Sequence, residues 1–383
     1  MMQLQDIRYV GVNDHEIDLF EGQYVVPNGM AYNSYVIVDE KVAVMDSVEG
    51  RFTETWLGNM KAMLQGRTPD YLVVQHMEPD HSSSIAAFMA KYPQAQVVSS
   101  AKAFAIMKQF YGNDFADRRV VVAGGSKLNL GKHELNFITA PMVHWPEVIM
   151  TYDAAEKVLF SADAFGKFGA LDVEEDWACE ARRYYFGIVG KYGAQVQALL
   201  KKVAELEIAA ICPLHGPMLT ENVADYVQLY DTWSAYRPET SGVAIAYASM
   251  YGNTKAGAMM LADKLRAKGV KVSVTDLARD DLAEAVEDAF RYDRLVLAAP
   301  TYNAGVFPVM HTFIHHLVER NYQNRTVAFI ENGSWAPMAA KTMRGLLEGC
   351  KELTFAEPQV KILSALNDDS RAQVEQLAEA LGQ

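Results

Sequence analysis

Apolar residues recur along the chain in two rhythms. Up to about residue 160 short apolar runs dominate: Ile7 to Val12, Ser34 to Val38, Val42 to Met45, Tyr71 to Val74 and Gln96 to Val98, then hairpin-like segments including Glu134 to Thr139 that continue to about Leu159. Runs of this length, bounded by Gly, Pro, Asn and Asp, are the pattern of strands. Helical spacing interrupts them over Phe52 to Leu64 and Ala101 to Phe110. It returns over Cys179 to Leu206 and Glu221 to Tyr236. Ser82, Ser83 and Ser84 can cap a further helix that carries Ile85, Phe88 and Met89 inward. Strands first, then mixed helices and strands, predict an α+β domain of αββα sandwich type.

Beyond Arg237-Pro238-Glu239-Thr240-Ser241-Gly242, punctuated as a linker, the rhythm changes. Strands and helices now alternate: Val243 to Tyr247, Asn253 to Ala267, Val270 to Thr275, Leu282 to Ala289, Arg294 to Ala298, Pro308 to Arg320, Thr326 to Ile330, Met338 to Gly349, Val360 to Leu363 and Asp369 to Leu381. Five such units predict an α/β domain with a doubly wound parallel sheet. The expected domains are residues 1–240 and 241–383.

Composition narrows the picture. A hydrophobic share of 50% and a charged share of 22% are ordinary for a globular protein. No apolar run is long enough to span a bilayer, and Met1-Met2-Gln3-Leu4-Gln5-Asp6 lacks the features of a signal peptide, so a cytoplasmic protein is expected. The formal charge of −13 argues against nonspecific binding to nucleic acid or anionic membrane. Cys179, Cys212 and Cys350 form no Cys-x-x-Cys pair, which leaves neither a disulfide framework nor a rubredoxin-type iron site.

The chemistry concentrates at strand ends. His76-Met77-Glu78-Pro79-Asp80-His81 follows the run Tyr71 to Val74. Imidazoles and carboxylates packed this densely repel one another and lose hydration, costs that a central cation removes. His144, Asp163 and His215 each lie at the end of an apolar segment beside Pro, Gly or Ser. Four histidines and three carboxylates exceed one tetrahedral zinc and suit two metals sharing a bridge, roughly 3.5–4 Å apart.

The order of these residues resembles the metallo-β-lactamase fold. Its hydrolases usually read His-x-His-x-Asp-His, and here Glu78 takes the second position. A carboxylate there adds charge and a hard oxygen, moving preference from zinc toward iron. The pattern resembles that of the flavodiiron proteins. The resemblance implies that His76, Glu78 and His144 hold one iron, that Asp80, His81 and His215 hold the other, and that Asp163 bridges them.

The second domain supplies a matching cofactor. Ser249-Met250-Tyr251-Gly252-Asn253-Thr254 joins its first strand to its first helix, whose N-terminus offers N–H groups to a phosphate. Pro300-Thr301-Tyr302-Asn303-Ala304-Gly305 and Asn332-Gly333-Ser334-Trp335-Ala336-Pro337 follow strands on the same edge, where Tyr302 and Trp335 can stack on a flat ring. These segments resemble the phosphate loop and two isoalloxazine loops of flavodoxins. No Gly-x-Gly-x-x-Gly is present, so FMN is expected rather than a nicotinamide cofactor.

The resemblance covers nearly the whole chain. It implies an oxidoreductase that reduces dioxygen to water, nitric oxide to nitrous oxide, or both, with electrons relayed by FMN from rubredoxin or another soluble donor. It further implies a head-to-tail homodimer, or a tetramer built from such dimers. Tyr24, Trp145, Tyr184 and Tyr185 are expected near the irons, and Asp46 is expected to orient a ligand histidine. A dizinc hydrolase and a flavodoxin-type electron carrier with a metal-free first domain are the alternatives. His311, His315 and His316 share one helix that lacks a nearby carboxylate or Cys and is expected to be exposed or at an interface, and His15 and His133 are expected to have no supporting partners.

Overall fold

The computed structural model describes residues 4–383. The chain divides into two compact units between Asp231 and Thr232, inside the last turn of the helix Val223–Ser234. The division falls ahead of the expected linker because the segment after it is engaged with the second unit. The Tyr236 carbonyl accepts from Arg325 at 2.8 Å, and Glu239 accepts from the Trp233 indole at 2.8 Å. Most of that linker's C-terminal half is strand, since the first strand of the second unit is Thr240–Tyr247.

The first unit is a sandwich of two sheets. One has six strands in the order Ile7–Tyr9, Tyr35–Val38, Val42–Met45, Tyr71–Val73, Gln96–Ser100 and Arg119–Val122. The other has five, in the order Lys127–Asn129, Glu134–Thr139, Ile149–Asp153, Val158–Phe160 and Ala210–Cys212. Tyr35, Ile37, Met45, Val73 and Val98 of the first sheet form one core with Leu135, Phe137, Ile149 and Phe160 of the second. Val42–Met45 is buried throughout, so its outer face is also covered and no alternation shows in its sequence. The helix Thr53–Leu64 turns Trp56, Leu57, Met60 and Leu64 inward.

Two details depart from the sequence reading. The run Ile7 to Val12 breaks into strands of different sheets, Ile7–Tyr9 and Val12–Asp14. The helix expected from Cys179 to Leu206 is also interrupted. It runs Trp177–Tyr184, loosens into a π turn at Tyr185–Val189 and a 3₁₀ turn at Gly190–Tyr192, and resumes at Gly193–Val203. Gly187 lies in the loosened stretch because Tyr24 crosses it: a Cβ there would stand 3.0 Å from the Tyr24 ring.

The second unit has one parallel sheet. Its order is Val272–Asp276, Thr240–Tyr247, Tyr292–Tyr302 and Arg325–Asn332, with Leu353–Phe355 and Val360–Ile362 both pairing with the last. The first strand is therefore internal and the order reverses beside it, which opens a crevice at the carboxyl edge. Leu353–Phe355 is half-exposed and only three residues long, too short for its period to show. Pro300, Thr301 and Tyr302, expected in a loop, extend the third strand, and Gly305–Val306 folds back on it.

Candidate metal centre and flavin cleft

Strand register gathers the polar residues of the first unit. Val158–Phe160 and Ala210–Cys212 are parallel, with Phe160 opposite Cys212. Asp163 and His215 each follow their strand by three residues and so leave the sheet side by side. Met45 likewise lies opposite Val73, which puts Asp46 beside the entry to His76. Asp80 and His81 are not in an open loop: Pro79–Ser82 forms one helical turn, started by Pro79 at its N-terminus. Ser84 precedes the helix Ile85–Lys91 without a side-chain cap bond, because its hydroxyl meets Thr53 Oγ1 at 2.7 Å. Ile85, Phe88 and Met89 are buried as expected.

All seven residues converge. His76 Nε2 stands 3.2 Å from Glu78 Oε2 and 3.3 Å from Asp163 Oδ2. His144 Nε2 stands 3.1 and 3.0 Å from the same two oxygens. On the other side His81 Nε2 and His215 Nε2 are each 3.2 Å from Asp80 Oδ2 and 3.0 Å from each other. Asp163 Oδ1 lies 3.8 and 3.9 Å from those two nitrogens. One carboxylate thus turns one oxygen to each group.

The tautomers suit metal binding. His215 Nδ1 meets the Ala31 carbonyl at 2.8 Å, and a carbonyl only accepts, so Nδ1 carries the proton and Nε2 directs a lone pair inward. His76 Nδ1 meets Glu147 Oε1 at 2.9 Å and is fixed the same way. Both Asp80 oxygens and Asp163 Oδ1 are buried without a hydrogen-bond partner among the described residues. Burial alone would disfavour charge on these groups. The mutual attraction of rings and carboxylates outweighs it, holding His76 well above and Asp163 well below their usual ranges. His144 is lifted to about 9 against burial by Asp163 and Glu78. Such a cluster binds either protons or cations, and the ligand geometry fits cations.

A third group of possible ligands, Asp6, His133 and Glu156, is already satisfied. His133 bonds Asp153 at 2.9 Å and Asp6 at 3.2 Å, Lys132 pairs with Asp6 at 2.7 Å, and Glu156 accepts the Gln5 and Asp6 N–H groups. His133, expected to have no supporting partners, in fact has two carboxylates beside it, because the loop before Glu134–Thr139 lies against Asp153 and Asp6, and His15 likewise meets Asp172 at 3.1 Å. On their helix, His315 pairs with Glu319 at 3.2 Å and His316 meets Arg320 at 3.1 Å.

Of the expected neighbours, Trp145 packs edge-on to the His76 ring with centroids 5.3 Å apart, and the buried Tyr184 lies 5.5 Å from the His215 ring. Tyr24 gives its hydroxyl to the Gly187 carbonyl, and Tyr185 packs on Phe186 and Tyr230. Asp46 requires a correction. Its two oxygens take the Gln75 N–H at 2.7 Å and the Gln75 side-chain amide at 2.8 Å, so it fixes the residue before His76 and bonds no ligand histidine. Sequence reasoning missed Glu147, Phe20 and Tyr32. The Phe20 ring lies 5.4 Å from His215, and Tyr32 lies 6.1 Å from His215 and 6.3 Å from His81. Glu147, three residues past His144, could have been found by asking which carboxylate flanks a ligand histidine.

In the second unit the strand ends frame a cleft of about 490 Å³. Ser249, Met250, Tyr251, Asn253, Thr254, Pro300, Thr301, Asn303, Ala304, Asn332, Gly333, Ser334 and Trp335 line it. Gly252, Tyr302 and Gly305 do not. Gly252 caps the helix Asn253–Ala267 with φ 91°, and the Tyr302 ring turns onto Phe307. Ser249 Oγ accepts the N–H groups of Gly252 and Lys255, while those of Asn253 and Thr254 find no acceptor among the described residues. Thr301 Oγ1 accepts the Met338 and Ala339 N–H groups, at the start of the helix Ala339–Leu346. Ala336, Met338 and Ser364 join the lining, Ser364 from the end of the fifth strand position.

Residues 30–216 match the ODP family beta lactamase, and residues 244–356 match the flavodoxin domain family. A nitric oxide reductase of Moorella thermoacetica is 30% identical over 363 residues, which are 92% of this chain and 90% of that protein. The chain belongs to the flavodiiron-protein family. The flavodiiron protein of Giardia intestinalis superposes over 100% of this chain and 97% of its own, with a TM-score of 0.89 and 25% identity. The rubredoxin oxygen:oxidoreductase of Desulfovibrio gigas shares the fold with a TM-score of 0.91 at 24% identity, covering 100% and 97%. As a family member the chain is an oxidoreductase whose cofactors are a non-haem di-iron centre and FMN. The orphaned carboxylate oxygens fit the first, and the open helix N-terminus in the cleft fits the second. No helix among the described residues is long and apolar enough to cross a membrane.

Proposed function

We propose that this chain takes electrons from a soluble carrier through FMN and passes them to dioxygen, nitric oxide or both at the di-iron centre. The two-sided presentation of Asp163 carries this reading, because a carboxylate shared between two ligand sets is what a pair of metals requires. When bound, the irons and FMN supply the electron storage and the gas chemistry. His76, Glu78 and His144 would hold one iron and Asp80, His81 and His215 the other, with Asp163 placed to be shared by both. Glu78 sets the choice of metal through its hard oxygen. Phe20, Tyr32 and Tyr184 line the ring edges of His81 and His215 and limit water there.

In the cleft the Asn253 and Thr254 N–H groups and the Thr254 hydroxyl hold the phosphate. Trp335, 82% exposed, offers a ring face to the isoalloxazine. The relatives' names support the substrates and one donor: nitric oxide for the Moorella enzyme, rubredoxin and oxygen for the Desulfovibrio enzyme. Rubredoxin or a similar small carrier is accordingly the donor.

Anaerobic stopped-flow mixing of the fully reduced protein with O₂, and separately with NO, tests the function. Rapid reoxidation of the flavin by either gas is expected, and a flavin that stays reduced with both would end the proposal. We extend it to a head-to-tail homodimer, in which each flavin faces the partner's irons. Mixed dimers of an iron-free and a flavin-free variant should recover part of the activity, and inactive mixed dimers would show transfer within one chain.

A further inference from the structure

The two ligand sets are matched in their inner groups. Each has two histidines and one carboxylate of its own, and each shares Asp163. Behind those groups they differ. His76 Nδ1 is bonded to Glu147 Oε1 at 2.9 Å, and the same oxygen accepts the Met77 N–H at 2.9 Å. Glu147 is 2% exposed, and its other oxygen, Oε2, has no hydrogen-bond partner among the described residues. The Ser100 hydroxyl holds its backbone in place at 2.8 Å. In the other set, His215 leans on the neutral Ala31 carbonyl, and His81 Nδ1 is buried with no hydrogen-bond partner among the described residues.

A carboxylate behind a ligand imidazole raises its basicity and fixes its ring, whereas a carbonyl does so less and an orphaned nitrogen not at all. Glu147 also brings a full negative charge near one metal position, inside a medium that screens it poorly. We propose that Glu147 makes the two metal positions unequal, acting through His76 as a positioning residue. The His76–Glu78–His144 position then holds its ion the more tightly, and the Asp80–His81–His215 position is the first to empty. This inference rests on the di-iron reading above. It also runs against accessibility, which gives a clear contrast. His144 is 8% exposed and His215 1%, so solvent access alone would empty the His76 position first.

The test uses the full chain loaded with two irons and reduced under anaerobic conditions. A ferrous-specific chelator removes the metal while absorbance records its release. Crystals soaked in chelator for half the release time are measured at the iron edge, giving the occupancy of each position. The wild type should lose iron in two phases, the slow one from the His76 position. Glu147→Gln keeps the shape and an acceptor for Met77 but removes the charge. It should speed the slow phase roughly 10–100-fold and leave the fast phase, FMN content and thermal midpoint unchanged. A wild type that empties the His76 position first overturns the inference whether or not the variant folds. So does a Glu147→Gln protein that releases iron as the wild type does, or one in which both phases accelerate alike. Failure of the wild type to retain two irons would instead overturn the di-iron reading, and this inference with it.

Discussion

At the metal centre every inward-pointing group is a side chain, and three of the seven are carboxylates. At the flavin cleft the walls are backbone, hydroxyls and flat rings, and the only electrostatic attraction among the named groups comes from a helix N-terminus. The first site is buried, with His76, His81 and His215 at 0–1% exposure, whereas Tyr251 and Trp335 at the second are 90% and 82% exposed. The difference follows from the ligands. Bare cations need negative charge and fixed lone pairs in a dry pocket. A large planar anion needs N–H groups, a phosphate seat and a ring face. Loss of one charged side chain should therefore disable the first site, while loss of one donor should only weaken the second.

The largest effect is expected for Asp163→Ala. Its carboxylate faces both ligand sets, and no other described carboxylate does so. Iron content by elemental analysis should fall to near zero while flavin absorbance stays. Near-normal iron would break the bridge assignment. Glu78→His should act less completely. It removes the hard oxygen that lies 3.2 and 3.1 Å from two imidazoles, so zinc should replace part of the iron and gas-reducing turnover should drop. An unchanged zinc-to-iron ratio would free Glu78 from that role.

Thr254→Val probes the second site. Its hydroxyl is buried at the start of the helix Asn253–Ala267, and a bond to a charged phosphate is worth roughly 1.5–3 kcal/mol. Flavin affinity measured by fluorescence titration should fall by that amount with iron untouched, and unaltered affinity would move the phosphate elsewhere.

The smallest effect concerns His133, where histidine and carboxylates meet without orphaned oxygens. Burial opposes its charge, but Asp153 and Asp6 outweigh it and raise its pKa. A raised pKa means that the folded state favours the imidazolium. Its stabilisation is full below about pH 6.5 and is lost as pH rises through the higher folded value. His133→Gln should therefore lower the thermal midpoint more at pH 6 than at pH 9, with iron content unchanged. An equal loss at both pH values would show that charge is not what His133 contributes.

The same contrast explains what the chain discloses before folding. The metal centre was legible because its ligands differ chemically from their surroundings and stand at strand ends, so all seven were named from residue type and place. The flavin loops were legible through topology, since alternation locates the carboxyl edge whatever residues occupy it. Groups that act through geometry alone stayed hidden. The Ala31 carbonyl behind His215 has no side-chain signal, and Phe20 reaches His215 only through a hairpin of two-residue strands, Leu19–Phe20 and Tyr24–Val25. Asp46 was found, but its partner was not, because both Gln75 and His76 lie within reach of the end of the neighbouring strand and only coordinates separate them. The π turn after Tyr184 was invisible, since the residue that crosses it at Gly187, Tyr24, lies far away in sequence.

The central claim is that one carboxylate, Asp163, joins two ligand sets into a single two-metal centre. Mössbauer spectroscopy of the purified protein grown on ⁵⁷Fe, with iron quantified per chain, tests it most directly. Two irons per chain whose spins are coupled through a shared bridge are the expected result, and the coupled signal should vanish in Asp163→Ala. One iron per chain, or two irons without magnetic coupling, would contradict the claim.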